Sequence, residues 1–174
     1  TSSSGLNYHF ALPSYDWNVR TEVVDKDYPT TKKTIMDRTG AFVNTWLLTA
    51  ITGPDFVDRG PSGSANGIVD DYDWGYWVKI NYCNWSNSFD WRLPYSGTKR
   101  DAANKTDSYT QGKKQLYYLN SVETRSHVAL FSKSIRDDSR STLQESSLRL
   151  DEIVLLRKDS YKQLVKPTAQ GGYG

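Results

Sequence analysis

The sequence has few of the residues that build disulfides, metal clusters or catalytic centres. Its 174 residues include one cysteine, Cys83, which excludes an internal disulfide and a multi-cysteine zinc site. There are two histidines, His9 and His127. The motifs of nucleotide-binding loops, dinucleotide folds, zinc proteases and serine hydrolases are missing. We therefore expect no catalytic residue and no enzymatic activity.

The sequence also lacks long apolar runs and any large excess of positive or negative charge. No run approaches the roughly 18 apolar residues that a spanning helix needs, so we expect no membrane span. The net charge is +2, and basic residues are mixed with acidic ones along the chain. Because a nucleic-acid-binding domain normally clusters its basic residues on one face, we expect no nucleic-acid partner.

The chain's length and its aromatic residues are informative. A length of 174 residues suits one domain, and 13% of the residues are aromatic, among them 12 Tyr and 6 Trp. Residues 1–5 read as a polar lead-in and 169–174 as a flexible tail, so a single β-rich domain is predicted over 6–168. The chain starts at Thr1 and its one methionine is Met36. We interpret it as a piece of a longer protein.

Strand patterns dominate between the two ends, with β-branched and aromatic residues that alternate or cluster. Residues 75–85 show the clearest period of two, with Tyr76, Val78, Ile80 and Tyr82 predicted on one face and Trp77, Lys79, Asn81 and Cys83 on the other. Residues 147–159 are assigned as a strand, with a short C-terminal helix as the alternative. Polar loops are predicted at 98–114 and 134–147. Further strands are predicted at 7–12 (ended by Pro13), 18–25, 45–52, 114–124 and 126–134, with a hairpin at 32–44 and another that turns at 124–126.

Short strands with turn residues between them predict an all-β fold, an antiparallel sheet or sandwich of stacked β-hairpins with long polar loops. Three segments share a faint internal repeat, an apolar lead followed by Ile or Val: WLLTAITGPD, YYLNSVETRS and LRLDEIVLLR. Each precedes a further candidate strand, which is typical of a hairpin module whose copies bury one another's faces.

The segments LLTAITGPD, GYWVKINY, YYLNSVETRSHVALF and LRLDEIVLL together resemble bacterial Rhs/YD-repeat proteins, in particular long surface or secreted proteins of the Bacteroidetes type. The resemblance spans residues 42–160, although the plain Tyr-Asp-x-x-Gly-Arg signature is missing. It implies a strip of β-sheet that serves as scaffold and not as catalyst. It also implies an extracellular or cell-surface location and neighbouring domains of the parent protein as partners.

An acidic, glycine-rich stretch at residues 53–74 is the first candidate site. Carboxylate and carbonyl oxygens are what Ca²⁺ binds, and crowded carboxylates repel one another unless a cation relieves them. An EF-hand-like alignment around Gly67 fits poorly, however, and Asn66-Gly67 alone accounts for a tight turn. A calcium site and a plain solvated loop therefore both stand as interpretations. The candidate calcium ligands are Asp55, Asp58, Asn66, Asp70, Asp71 and Asp73.

A cluster of aromatic residues between positions 72 and 95 is the second candidate site. Exposed aromatic rings stack on sugars, and polar neighbours bind the hydroxyl groups. The candidate carbohydrate contacts are Trp74, Trp77, Trp85, Trp91, Tyr95 and Arg92. In a strand, neighbouring rings point to opposite faces, so burial on both sides by a second layer or by neighbouring repeats is the other interpretation.

Two functions from different classes follow from these patterns. The preferred one is a non-catalytic structural or interaction domain of a larger bacterial protein. The alternative is a carbohydrate-binding module that binds polysaccharide. Ser126 and His127 are not expected to pair as nucleophile and base, because adjacent residues of a strand point to opposite faces.

Overall fold

A computed structural model shows an all-β fold of eight strands and one short helix, and it describes residues 3–25, 32–94, 96–140 and 146–164. Residues 3–5 of the predicted lead-in are described and form a turn, whereas residues 1–2 and the predicted tail at 169–174 lie outside the described ranges. The elements are β1 (Asn7–Asp25), β2 (Lys32–Arg38), β3 (Phe42–Thr52), β4 (Trp77–Leu93), β5 (Lys99–Asp101), β6 (Thr106–Glu123), β7 (His127–Arg140), β8 (Ser146–Arg157) and α1 (Lys158–Leu164).

Antiparallel pairs of long strands build the sheet, and several of these pairs join strands that are not consecutive in the sequence. β1 pairs with β2 and β3, β4 with β6, and β7 with β8. The strand order is β2-β1-β3-β4-β6-β7-β8, with β5 beside β6. The second half of β1 also pairs with β6, so β1, β3, β4 and β6 form a closed circuit of pairings. β7 joins β6 at only three residue pairs, so the β7–β8 hairpin extends beyond this circuit.

Several predicted boundaries are wrong, and bulges or turns explain them. β1 continues through Pro13, which is opposite Trp46 with register shifts on either side. The predicted hairpin at 32–44 does not form, because β2 and β3 both run antiparallel to β1 and so share one direction. The predicted loops are mostly strand: β5 and β6 occupy much of 98–114, and β7 continues to Arg140.

Other predictions are confirmed. Strands occupy 45–52 and most of 75–85, and the hairpin between β6 and β7 turns at residues 124–126, where the Thr124 N–H donates to the His127 carbonyl at 2.9 Å. Residues 147–157 are strand, and the helix begins only at Lys158. The alternation in β4 holds through Asn81. A register shift follows, at which the pairing skips Asn120 of β6 and Tyr82 lies opposite Leu119.

Between the bulges, six strands form a regular patch whose two faces differ in burial. One face, the covered face, carries every buried residue of the patch: Ala50, Thr52, Trp77, Ser121 and Val128. The opposite face, the open face, contains no buried residue. Cross-strand partners place nine side chains there: Tyr8, Ile51, Val78, Ile80, Val122, Ala129, Phe131, Ile153 and Leu155. On this apolar side Tyr8, Ile153 and Leu155 are exposed and the other six side chains are half-buried.

The loop between β3 and β4, together with α1, packs on the covered face. Within the ranges that the structure describes, no helix has the length and apolar character needed to cross a membrane.

Candidate functional site

The β3–β4 loop, residues 53–76, closes on itself by backbone hydrogen bonds. The Gly53 N–H donates to the Tyr76 carbonyl at 2.8 Å, and Val57 and Trp74 exchange N–H to carbonyl bonds of 3.0 and 3.1 Å. Gly75 has φ of 79°, and a Cβ there would collide with the Asp55 backbone. Only glycine therefore fits this close crossing of two backbone segments.

Buried or bonded carboxylates fix the interior of the loop. Asp73 is fully buried, and its two oxygens accept the N–H groups of Arg59 and Asp70, both at 2.8 Å. Asp58 does the same on the surface, accepting the N–H groups of Asn66 and Gly67 at 2.9 and 2.8 Å. Because these bonds satisfy the backbone of an irregular segment, the loop has a defined shape.

Asp71 links the loop to the C-terminal helix. Its carboxylate lies 2.5 Å from Lys158 Nζ and 2.7 Å from Lys162 Nζ. Partial burial would raise the pKa of Asp71, but the hydrogen bonds and charges of the two lysines outweigh it and hold the pKa below its usual value. The same contact, first through its hydrogen bond, raises the pKa of Lys162. This ion pair joins residues that are 87 and 91 positions apart.

Lys158 is the buried centre of this contact. Its side chain is 9% exposed, and Nζ also lies 3.3 Å from both Glu123 Oε2 and the Thr124 carbonyl. The ammonium group stands 4.8 Å from the ring centre of Trp77, which is itself 1% exposed. We call Asp71, Glu123, Lys158 and Trp77 the lysine cluster. The cluster fixes α1 and the loop onto the covered face.

The six predicted calcium ligands do lie in this loop, and protein groups contact all of them. Asp55 accepts the Tyr76 N–H at 3.1 Å, and Asp70 accepts the Asn66 side-chain amide and the Tyr72 N–H. Among the described residues, no three His, Cys, Asp or Glu side chains lie together so as to hold a metal ion. The charge of Asp71 is balanced by Lys158 and Lys162 of α1. These lysines are too distant in the sequence for the acidic loop itself to have indicated them.

The predicted sugar-contacting aromatics do not converge on one surface. Trp77 is in the core and cannot stack on a sugar, so this member of the prediction is wrong. Trp85, which is 40% exposed, lies in mid-β4 and donates from Nε1 to the Ser146 carbonyl at 2.9 Å. Trp91 and Arg92 lie near the far end of β4, with the Arg92 guanidinium 4.3 Å from the ring centre of Tyr109. Tyr95 lies outside the described residues.

Three exposed aromatic rings lie on the β3–β4 loop, and two of them are outside the predicted set. Tyr72, Trp74 and Tyr76 are 55%, 55% and 50% exposed and lie at two-residue spacing on the loop. The Arg59 guanidinium stands 4.0 Å from the ring centre of Trp74. We call Tyr72, Trp74 and Tyr76 the aromatic strip. The two-residue spacing in the sequence was the available signal for it.

Each of the two histidines has a hydroxyl group within hydrogen-bond distance of its ring. His9 Nε2 lies 2.9 Å from Thr52 Oγ1. Ser126 Oγ lies 2.8 Å from His127 Nδ1, so the argument that strand alternation points these two side chains to opposite faces is wrong. The reason is that Ser126 lies in the turn before β7, where strand alternation does not apply. Both side chains are exposed at a turn.

Comparisons with protein-family models, with curated protein sequences and with solved structures yield no match.

Proposed function

We propose that this chain is a non-catalytic structural and interaction domain of a larger bacterial surface or secreted protein, in which it forms a scaffold-like segment of β-sheet. The observation that supports the proposal is the polarity of the central patch. The covered face mixes apolar residues such as Ala50, Trp77 and Val128 with polar ones, whereas the nine side chains of the open face are all aliphatic or aromatic. Tyr8, Ile153 and Leu155 are exposed on this face and the other six are half-buried, and a contiguous apolar surface that is partly exposed suits an interaction site.

The size of the open face suits a neighbouring domain of the same protein. A residue on one face of a sheet occupies about 32 Å², from the strand spacing and the two-residue repeat, so nine residues cover roughly 300 Å². Interfaces between domains of one chain begin at about 300 Å² per side. A free-standing complex typically needs about 800 Å² per partner. We therefore propose that the partner on this face is tethered in the parent protein.

Cysteine labelling tests this proposal. In a Cys83→Ser background, Ala129→Cys places a thiol at the centre of the open face, and Ala103→Cys places one in the exposed turn between β5 and β6. Both thiols should react with a maleimide in the isolated chain. In the longer gene product, Ala129→Cys should be protected while Ala103→Cys still reacts. Equal labelling of Ala129→Cys in both contexts would remove the proposed docking face.

Carbohydrate binding is a second candidate, and the aromatic strip favours it. Tyr72, Trp74 and Tyr76 present exposed rings on a loop that internal hydrogen bonds hold in shape, which suits stacking on a sugar. Tryptophan fluorescence should then change on addition of a binding polysaccharide, and Trp74→Ala should abolish the change while Trp85→Ala keeps it. Unchanged fluorescence across a panel of polysaccharides would end this candidate.

Calcium binding by the β3–β4 loop is a further proposal. An ion there would compete with Lys158 and Lys162 for Asp71, and with backbone N–H groups for Asp58 and Asp73. A ligand that binds only the native state must stabilise it. Melting in millimolar Ca²⁺ and in chelator gives the test, and an unchanged melting temperature would count against a structural calcium site.

A further inference from the structure

The two outermost strands of the sheet differ in how they are protected against pairing with another strand. β2 carries four charged residues among its seven, Lys32, Lys33, Asp37 and Arg38. Charge, and lysine in particular, is a common protection of an exposed edge. β8 has no such protection over Ile153–Leu156, where four apolar residues follow one another without glycine or proline. Among the described residues, β8 pairs only with β7.

The outer edge of β8 is also accessible. Ile153 and Leu155 are 54% and 67% exposed, although both lie in a run that pairs with β7 without a bulge from Glu152 to Arg157. The helix that follows leads away from this edge. The Lys158 N–H donates to the Ser126 carbonyl at 2.8 Å, and its side chain reaches Glu123, so α1 turns back towards β6 and β7.

The charges that flank the apolar run select one partner and one orientation. Asp151 and Glu152 precede the run and Arg157 follows it; Asp151 lies at the register shift of β8, where its carboxylate is 3.0 Å from Arg149 Nε. If two copies of β8 pair antiparallel about Val154, the acidic end of one strand lies beside the basic end of the other. Ile153 of each copy then faces Leu155 of the other. A parallel pairing would place Arg157 beside Arg157.

We propose that β8 pairs antiparallel with β8 of a second copy of this chain, so that the two sheets become one and their open faces become continuous across a two-fold axis. This inference rests on the proposed structural role, because it gives a partner to the same sheet. The contact is a single strand edge, smaller than a standard interface, so association should be weak and dependent on concentration.

Sedimentation equilibrium of the isolated chain from about 10 µM to about 1 mM tests the proposal. We expect a monomer–dimer equilibrium that closes at the dimer. Leu155→Lys and Ile153→Glu should each weaken it by about tenfold or more, through burial of an unpaired charge at the edge. The matched control is Leu150→Lys, because Leu150 is 54% exposed on the same strand but lies beyond the register shift that ends the bulge-free run Glu152–Arg157. This control should dimerise as the parent chain does.

Rescue by opposite charge identifies the register. In a mixture of Leu155→Lys and Ile153→Glu chains, or in the double variant, lysine should face glutamate, and dimerisation should return towards the parent level. Circular dichroism and thermal melting should show that each variant folds, because both side chains are exposed and their replacement leaves the core unchanged. A chain that stays monomeric to 1 mM would overturn the inference, as would a dimer insensitive to Leu155→Lys or one that the mixture fails to restore. A dimer lost in Val78→Lys but kept in Leu155→Lys would indicate stacking of open faces instead. None of these outcomes depends on the labelling of Ala129→Cys in the longer protein.

Discussion

Lys158→Met tests whether the lysine cluster fixes the loop and helix to the sheet. Methionine keeps an unbranched apolar stem and removes the ammonium group. The change deletes the contacts to Asp71 at 2.5 Å and to Glu123 at 3.3 Å, the hydrogen bond to the Thr124 carbonyl, and the position over the Trp77 ring. It leaves two carboxylates near an apolar side chain.

The expected loss can be bracketed from these contacts. Removing one partner of a buried ion pair costs about 3–5 kcal/mol, and a desolvated cation–π contact contributes about 1–2 kcal/mol. The side chains of Asp71 and Glu123 are 37% and 23% exposed, so water compensates part of the loss, and Asp71 keeps Lys162. We therefore expect Lys158→Met to lower the free energy of unfolding by about 2–3 kcal/mol, or roughly 5–10 °C in melting temperature for a chain of this size.

Lys162→Met is the matched control. Lys162 contacts the same carboxylate at 2.7 Å, but its side chain is 58% exposed. Exposed pairs contribute about 0–1 kcal/mol, because water and salt screen them. Urea denaturation followed by circular dichroism measures both variants at equal ionic strength. Equal losses for the two variants, or a gain in stability for Lys158→Met, would refute the argument that burial makes this contact strong.

Three further predictions concern the loop and β1. Gly75→Ala should lower the free energy of unfolding by about 3 kcal/mol or more, because the positive φ and the opposing Asp55 backbone both exclude a Cβ. Gly67 has a similar φ of 71° but open space around it, so Gly67→Ala should cost only about 1–2 kcal/mol. Asp73→Asn should lower the free energy of unfolding by about 2–3 kcal/mol, because it turns an amide NH₂ towards a buried backbone N–H. Asp58→Asn should cost under about 1 kcal/mol, because water can replace the hydrogen bonds of this more accessible carboxylate. Burial raises the pKa of Asp16 above 3.8, so Asp16→Asn should maintain or raise the melting temperature at pH 7, and this gain should vanish as the pH falls below 3.8.

Thermal and urea unfolding of each pair decide these predictions. Equal losses for the two glycine variants would show that φ alone matters at Gly75. Equal losses for the two aspartate variants would show that burial adds nothing to the bonds of Asp73. The sign for Asp16 follows from linkage. A carboxyl whose folded pKa exceeds its unfolded value stabilises the fold only at low pH, and this contribution is lost as the pH rises. A lower melting temperature for Asp16→Asn at pH 7 would mean that Lys114 and Asn44 outweigh the burial.

Local pattern was enough to predict that the fold is all-β and to place most strands, because alternation and β-branched residues act over a few neighbouring positions. The 77–81 alternation and the strand at 147–157 were predicted from such runs. Prediction failed where pairing overrides local signals. Pro13 reads as a strand end, but β1 passes through it between register shifts, and the polar run at 98–114 becomes strand because β1 and β4 pair with it.

The candidate site divides in the same way. The sequence indicated an acidic loop, and the loop holds all six of the predicted oxygen-bearing residues. It could not show that Asp71 meets Lys158 and Lys162, because that contact depends on α1 folding back over the covered face. Nor could it show which rings are buried, since Trp74 and Trp77 differ only in where the sheet and loop place them.

By itself, then, the sequence determined the strand content, the hairpin turn at residues 124–126 and the apolar alternation, which are properties of neighbouring residues. Only the tertiary structure decided which side of the alternation the chain covers with its own loop and helix. It left the fully apolar side without a buried residue and exposed Ile153 and Leu155 on the outermost strand. The physical reason is that burial depends on which distant segment packs on a face, and a pattern with a period of two does not specify that segment.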